Sequence, residues 1–238
     1  MNEKANEYSW FPLIVVACAS FIIVLDSFFM NVSISRIVVD LNADVSTIQM
    51  IVSFCTLITA ALILFSTKLQ DIVGKKKLFV IGAALFGIGI FAAVLSSSVI
   101  MFFVGWAAIK GVAAALMLPA IVSIISGIYS GKKRTIALAT LGVMAGLADI
   151  LAPLLGGLIT TFFSWRYTFA FELIFSLFIL AMQNKIPEFK PTESKSDLDI
   201  IGAILSGICL LLLVHGILSL TKDVATSITE IILGLIVL

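Results

Sequence analysis

The sequence predicts an all-α, polytopic membrane protein, and three observations lead there. Of its 238 residues 61% are hydrophobic and only 12% are charged, too few to wet the surface of a soluble domain this long. The apolar residues fall in blocks of about 20, the length that carries a helix across the hydrocarbon core of a bilayer. Lys and Arg gather in alternate connections between those blocks, the pattern of cytoplasmic loops.

The blocks read as spans at 11–34, 47–67, 78–97, 99–121, 136–160, 166–184 and 200–220, with an eighth begun near 226 and cut at Leu238. In lipid each block must satisfy its own backbone hydrogen bonds, so each is a helix and not a strand. The first follows a short polar head and runs to full spanning length, so it reads as a retained helix and not a cleaved signal. The chain divides into a six-helix transmembrane bundle over 1–184, a cytoplasmic linker over 185–199 and two further helices, the second incomplete, over 200–238. The linker reads NKIPEFKPTESKSDL, with mixed charge and two prolines, and is expected to be flexible. Six helices followed by a charged linker is what a two-bundle transporter presents at its midpoint. The sequence is therefore either a naturally short protein or part of one about twice as long.

Placing the N-terminus inside puts Lys4, Lys68, Lys75, Lys76, Lys77, Lys132, Lys133, Arg134, Lys185, Lys190 and Lys195 in the cytoplasm. Only Arg36, Arg166 and Lys222 fall on the opposite side, so the N-terminus is expected to be cytoplasmic in a multi-pass cell-membrane protein. Cys18, Cys55 and Cys209 all lie inside apolar blocks, at spacings that suit neither a zinc site nor a disulfide framework. They read as small packing residues.

Function should reside in the polar residues at membrane depth. A charge at the centre of a spanning helix costs about 2.5–3.5 kcal/mol on insertion scales, and such residues face the protein interior or a water-filled cavity. The candidates are Asp26 in the first helix, Lys110 in the fourth, Asp149 in the fifth and Glu172 in the sixth, with His215 in the seventh read as a packing residue. At about 1.5 Å per residue, Asp26 lies about 24 Å along its helix, Lys110 and Asp149 near the bilayer middle, and Glu172 roughly 10 Å from the outer surface. All four fall in the middle-to-outer half of the bundle and are expected to line one cavity. Three carboxylates against one ammonium leave acids that must be protonated, hydrated or bound to a cation. Asp149 has Gly142, Ala145, Pro153 and Gly157 near its own face, a small-residue stripe that predicts a helix contact and an inward-pointing acid. A structural ion pair of Asp149 with Lys110 is the rival reading. Glu172 continues a stripe with Thr168 and Ser176, and its expected depth allows snorkelling to the interface.

Several segments resemble the major facilitator superfamily. TKLQDIVGKKKL, after the second helix, is similar to the signature G-x-L-x-D-[RK]-x-G-[RK]-[RK]: Asp71, Gly74, Lys75 and Lys76 match, while Thr67 and Ile72 depart. The resemblance implies a charged cytoplasmic latch centred on Asp71. In the fifth helix ADILAPLLGG resembles the antiporter motif of the superfamily's exporters through Pro153, Gly156 and Gly157, with Ala148 and Ala152 where Gly is usual. LDSFFMNVSIS in the first helix is similar to the signature of the fourteen-helix drug:proton antiporter subgroup through Leu25, Asp26, Asn31 and Val32. An acid at the position of Asp149 resembles that subgroup's tetracycline exporters, and SWRYTFAFELIF resembles its sixth helix. The fourth helix departs: the family's Arg position is Ala107, and Lys110 stands where Gln is usual.

The resemblance implies the N-terminal six-helix bundle of a major facilitator fold plus one to two bridging helices. It further implies proton-coupled efflux of lipophilic, cationic drugs by rocker-switch alternating access, with Asp26 and Asp149 alternating between proton and cargo. The partners expected are the lipid bilayer, a small-molecule drug, protons, and a second bundle supplied by further chain or by another chain. Two other readings stay open: a carrier of another small molecule, such as a metabolite or a tetracycline-type compound, and a chain that does not transport alone. Nothing in the sequence suggests an enzyme, a metal site, a cofactor or a nucleic-acid partner. The lone His215 has no triad partner, and GKK at 74–76 and 131–133 lacks the upstream glycine of a phosphate loop.

Overall fold

A computed structural model describes residues 9–191, 200–219 and 224–237. Eight helices carry nearly all of them: α1 Phe11–Asp40, α2 Val45–Val73, α3 Lys75–Val94, α4 Val99–Ile128, α5 Gly131–Phe162, α6 Trp165–Met182, α7 Ile200–Ser219 and α8 Val224–Val237. The first six are long and apolar enough to cross a membrane. They sit in the expected order, but α1, α2, α4 and α5 run past the predicted spans into polar sequence. Hydropathy marks the lipid core, whereas the backbone keeps its i→i−4 bonds through the headgroup layer. A 30-residue helix such as α1 is about 45 Å long, enough to reach both headgroup layers.

Connections among the first six helices are short, so these neighbours in sequence run antiparallel. A single residue, Gly74, separates α2 from α3 at φ 103°, a left-handed backbone that side chains resist. The signature glycine is thus explained by its turn. α1 packs between α5 and α6, α3 between α4 and α6, and α2 against α4; α7 lies on α2, and α8 on α7. The core is continuous through α1, α3, α4 and α6, with Phe29, Phe79, Phe86, Phe102, Trp165 and Phe169 fully buried. α1 and α4 are the most enclosed spans, 61% buried along their most apolar 18 residues, against 17% for the same stretch of α5.

The bundle has two ends of different character. At one, Lys76 pairs with Glu188 (2.9 Å) and Lys75 lies over the Phe189 ring (5.8 Å). Phe189 also packs at Gly127 of α4, and Ile186 is buried. The chain after α6 is therefore docked through its first residues, which corrects the expectation of a flexible linker from 185 onward; 192–199 lie outside the described residues. Apolar Ile186 and Phe189 interrupt the polar composition, and they are what binds it. At the other end, Arg166 donates to Asp40 Oδ2 (2.8 Å) and to the Ser96 carbonyl (2.8 Å), and Trp165 Nε1 donates to the same Asp40 oxygen (2.8 Å). This clamp ties the ends of α1, α3 and α6 together.

Candidate functional site

Midway along the bundle the structure brings three of the four predicted ionisable residues together. Asp26 of α1 is ion-paired to Lys110 of α4, and both are buried. Trp106, one turn before Lys110, donates its indole N–H to the other carboxylate oxygen, Asp26 Oδ1, at 2.9 Å. The Lys110 ammonium lies 3.8 Å from the Trp106 ring centroid, so the indole holds the anion by its edge and the cation by its face. A buried charge pair is tolerated only when partners of this kind satisfy it.

The backbone of α4 is built for this contact. Residues Phe103–Ile109 form a π-helical segment ending at Lys110, a local widening that recurs at functional sites. Gly89 of α3 and Gly105 of α4 let the two backbones meet there. A Cβ on Gly105 would come within 2.8 Å of both the Ala93 nitrogen and the Gly89 oxygen. The close α3–α4 approach fixes the turn that aims Trp106 and Lys110 at α1.

Glu172 of α6 is fully buried, within electrostatic reach of Asp26 and Lys110. No described residue donates a hydrogen bond to either of its carboxyl oxygens, but it lies within hydrogen-bonding reach of the Asp26 carboxyl, a contact that forms when one of the two acids carries a proton. This corrects the expectation that Glu172 snorkels to an interface. The straight-helix depth estimate placed it near the surface, but the bundle encloses α6 there on the α1 and α3 sides.

Asp149 does not join the cluster. It is exposed on α5, and a Cβ on Gly142, Gly146 or Gly157 would meet open space. The predicted small-residue contact is therefore on the wrong face, and Lys110 pairs with Asp26 instead of Asp149. The covered face of α5 is Ala137, Leu141, Ala148, Ala152, Gly156 and Thr160. On it Gly156 packs against Phe29 of α1, where a Cβ would lie 3.0 Å from the ring. α5 carries small residues on two faces, so their spacing alone did not select the packed one. Pro153 is exposed within a continuous α5. Of the latch residues, Asp71 is half-buried one turn before Gly74, and Lys75 and Lys76 engage the segment after α6 as described.

A cavity of about 350 Å³ opens beside the ion pair. Asp26, Lys110 and Trp106 form one wall, with Ser27, Asn31, Cys55, Thr56 and Thr59 supplying neutral polar groups and Ile23, Val52, Phe86 and Leu118 apolar surface. Apolar walls with a few convergent polar groups are the usual make-up of a small-molecule site. A larger crevice of about 530 Å³ between α5 and α6 is lined by Ile159, Phe163, Tyr167, Ala170, Phe171 and Ile174. It holds none of the buried ionisable groups, so the smaller cavity is the chemically relevant one. Among the described residues no group of His, Cys, Asp and Glu is arranged to hold a metal. The residue that sequence reasoning missed is Trp106; its signal was an indole four positions before a buried lysine, on the same helix face.

The chain matches the Major Facilitator Superfamily over residues 16–198. It is 25% identical over 201 residues to the riboflavin transporter RibZ of Clostridioides difficile (strain 630), covering 84% of this chain and 44% of that one. To the lincomycin resistance protein of Streptomyces lincolnensis it is 26% identical over 228 residues, 93% of this chain and 46% of the relative. To the quinolone resistance protein NorB of Staphylococcus aureus (strain JH9) it is 31% identical over 173 residues, 72% of this chain and 37% of the relative. The chain thus spans about half the length or less of these curated relatives. Among solved structures, a peptide transporter in complex with sulfate shares the fold at TM-score 0.67 and 18% identity, over 95% of this chain and 50% of that one. Sequence profile and fold agree: the chain belongs to the Major Facilitator Superfamily, a family of transporters and not of enzymes.

Proposed function

We propose that this chain forms one bundle of a proton-coupled exporter that moves lipophilic, cationic small molecules across the cytoplasmic membrane. The observation that carries the reading is the buried Asp26–Lys110–Trp106 unit in the wall of a cavity large enough for part of a small molecule. A carboxylate held by an internal ammonium can exchange that partner for a proton or a cationic cargo. Rocker-switch access would need a second bundle, from the same reading frame or another chain. Asp149, on the uncovered face of α5, would then be a cargo contact turned toward that bundle. The lysine-rich end at Lys75 and Lys76 would face the cytoplasm. Relatives named for lincomycin and quinolone resistance support export as the direction.

A second reading, a carrier of a neutral or metabolite-like molecule, draws on the cavity lining. Lys110 already neutralises Asp26, and Ser27, Asn31, Thr56 and Thr59 offer uncharged hydrogen bonds. One relative is named as a riboflavin transporter. Everted vesicles from cells expressing the chain within its complete reading frame decide between them. The first reading expects uptake of ethidium driven by a pH gradient, abolished by Asp26→Asn. The second expects riboflavin uptake and none of ethidium. Uptake by the complete reading frame but not by residues 1–238 expressed alone would favour a chain that does not transport alone, and uptake of neither probe by the complete frame would contradict both readings.

A further inference from the structure

On α1, Asp26, Ser33 and Asp40 recur every seven residues, so they lie along one side of the helix. All three are turned to α6. Asp40 binds Arg166 and Trp165 at the surface, Ser33 Oγ lies 3.5 Å from Thr168 Oγ1, and Asp26 lies within electrostatic reach of Glu172. Thr168 and Glu172 are one turn apart on α6. A polar seam therefore runs from the Asp40 end of the bundle to the ion pair, and Ser33, Thr168 and Glu172 in it are fully buried. Within this seam no described residue donates to either Glu172 oxygen, and the hydrogen-bonding neighbour in reach is a second carboxyl, Asp26, an arrangement that asks for a shared proton. None of Ser33, Thr168 and Glu172 lines the cavity, which opens toward α2 and α4. Asp26 alone touches both the seam and the cavity.

The charge inventory is just as specific. On the helices packed against α6, the ionisable group facing Glu172 is Asp26 of α1, with Lys110 of α4 behind it. α3 offers the Ala83 carbonyl, already accepting from Ser176 at 2.9 Å, and Asp149 of α5 is on that helix's exposed face. Two carboxyls share one ammonium, so the cluster is neutral when it holds one proton.

We propose that Glu172 is a proton relay, and that protons reach Asp26 along the α1–α6 seam by a route separate from the cargo cavity. The proton leaves the Glu172 carboxyl and bonds to Asp26. The Lys110 ammonium, released by the neutralised Asp26, turns to the new Glu172 carboxylate, and the net charge of the cluster does not change. Glu172 is refilled from the Asp40 end through the Thr168 and Ser33 hydroxyls and water between them. This rests on the proposed proton coupling, but its test needs no cargo.

Infrared spectroscopy of the protein in D₂O, again in its complete reading frame, follows the carboxyl C=O band that disappears in Glu172→Gln. Thr168→Val is expected to slow deuteration of that band about tenfold or more, because it removes a hydroxyl that swings from the Trp165 carbonyl (2.6 Å) to pass a proton on. Thr168→Ser should restore the rate. Thr56→Phe, which fills the cavity from an exposed lining position, should leave it unchanged. The relay is overturned if no such band exists, if Thr168→Val deuterates at the wild-type rate, or if Thr56→Phe is the variant that slows exchange. If instead the band behaves as stated while vesicles move no cargo, the relay stands and the exporter reading fails.

Discussion

Lys110 is a buried cation with one bound carboxylate and a second within reach, and this predicts an unequal set of mutational costs. Lys110→Met removes the only ammonium between two buried acids, and breaking a buried pair from one side costs about 3–5 kcal/mol. Asp26→Asn should cost less, because the amide oxygen still accepts from Trp106 and Lys110 can turn to Glu172. Glu172→Gln should cost about 1 kcal/mol or less, since the amide can still donate to Asp26. The double variant D26N/E172Q strands the ammonium and should again cost about 3–5 kcal/mol, well beyond the sum of its single changes. By contrast D26N/K110M removes both charges and should recover most of the loss seen in Lys110→Met. Thermal unfolding in mixed micelles, followed by tryptophan fluorescence, gives the ranking. If D26N/E172Q is merely additive, or D26N/K110M is no more stable than Lys110→Met, the three groups do not form one electrostatic unit.

Other consequences can be checked separately. Gly105→Ala places a methyl 2.8 Å from two backbone atoms of α3 and should destabilise by about 1–3 kcal/mol, measured by the same melting assay. Gly74→Ala must hold φ 103° at the one-residue turn and should cost about 1–3 kcal/mol, with Gly74→Asn milder. Asp40→Asn loses a partly exposed ion pair with Arg166 but keeps an acceptor for Trp165, so its cost should be about 1 kcal/mol or less and shrink in high salt. Gly127→Leu overlaps the Phe189 ring and should free the segment after α6, read as faster chymotrypsin cleavage after Phe189.

Much of this architecture was legible in the sequence because a bilayer imposes simple rules. Block length located the first six spans, and the cost of charge at depth singled out Asp26, Lys110 and Glu172, though together with Asp149 and His215. The helix ends were less legible, since polar residues such as Arg36 and Asp40 extend α1 without changing its backbone pattern. Pairing was illegible for a different reason. Lys110 had three candidate acids, and the choice of Asp26 depends on the close approach of Gly89 and Gly105, which no spacing within one helix encodes. The packed face of α5 was misread, because that helix has two small-residue faces and only α1, through Phe29, decides between them; Asp149 lies on the uncovered one. His215 lies in α7, but its side chain falls outside the described residues.

In the proposed exporter the Asp26–Lys110 pair couples protons to cargo. The direct measurement is proton release into weakly buffered medium when ethidium is added to proteoliposomes holding the protein in its complete reading frame. Wild type is expected to release protons in proportion to ethidium bound. Asp26→Asn should bind and pass ethidium downhill with no proton release. Undiminished release from Asp26→Asn would place the coupling elsewhere and contradict the account.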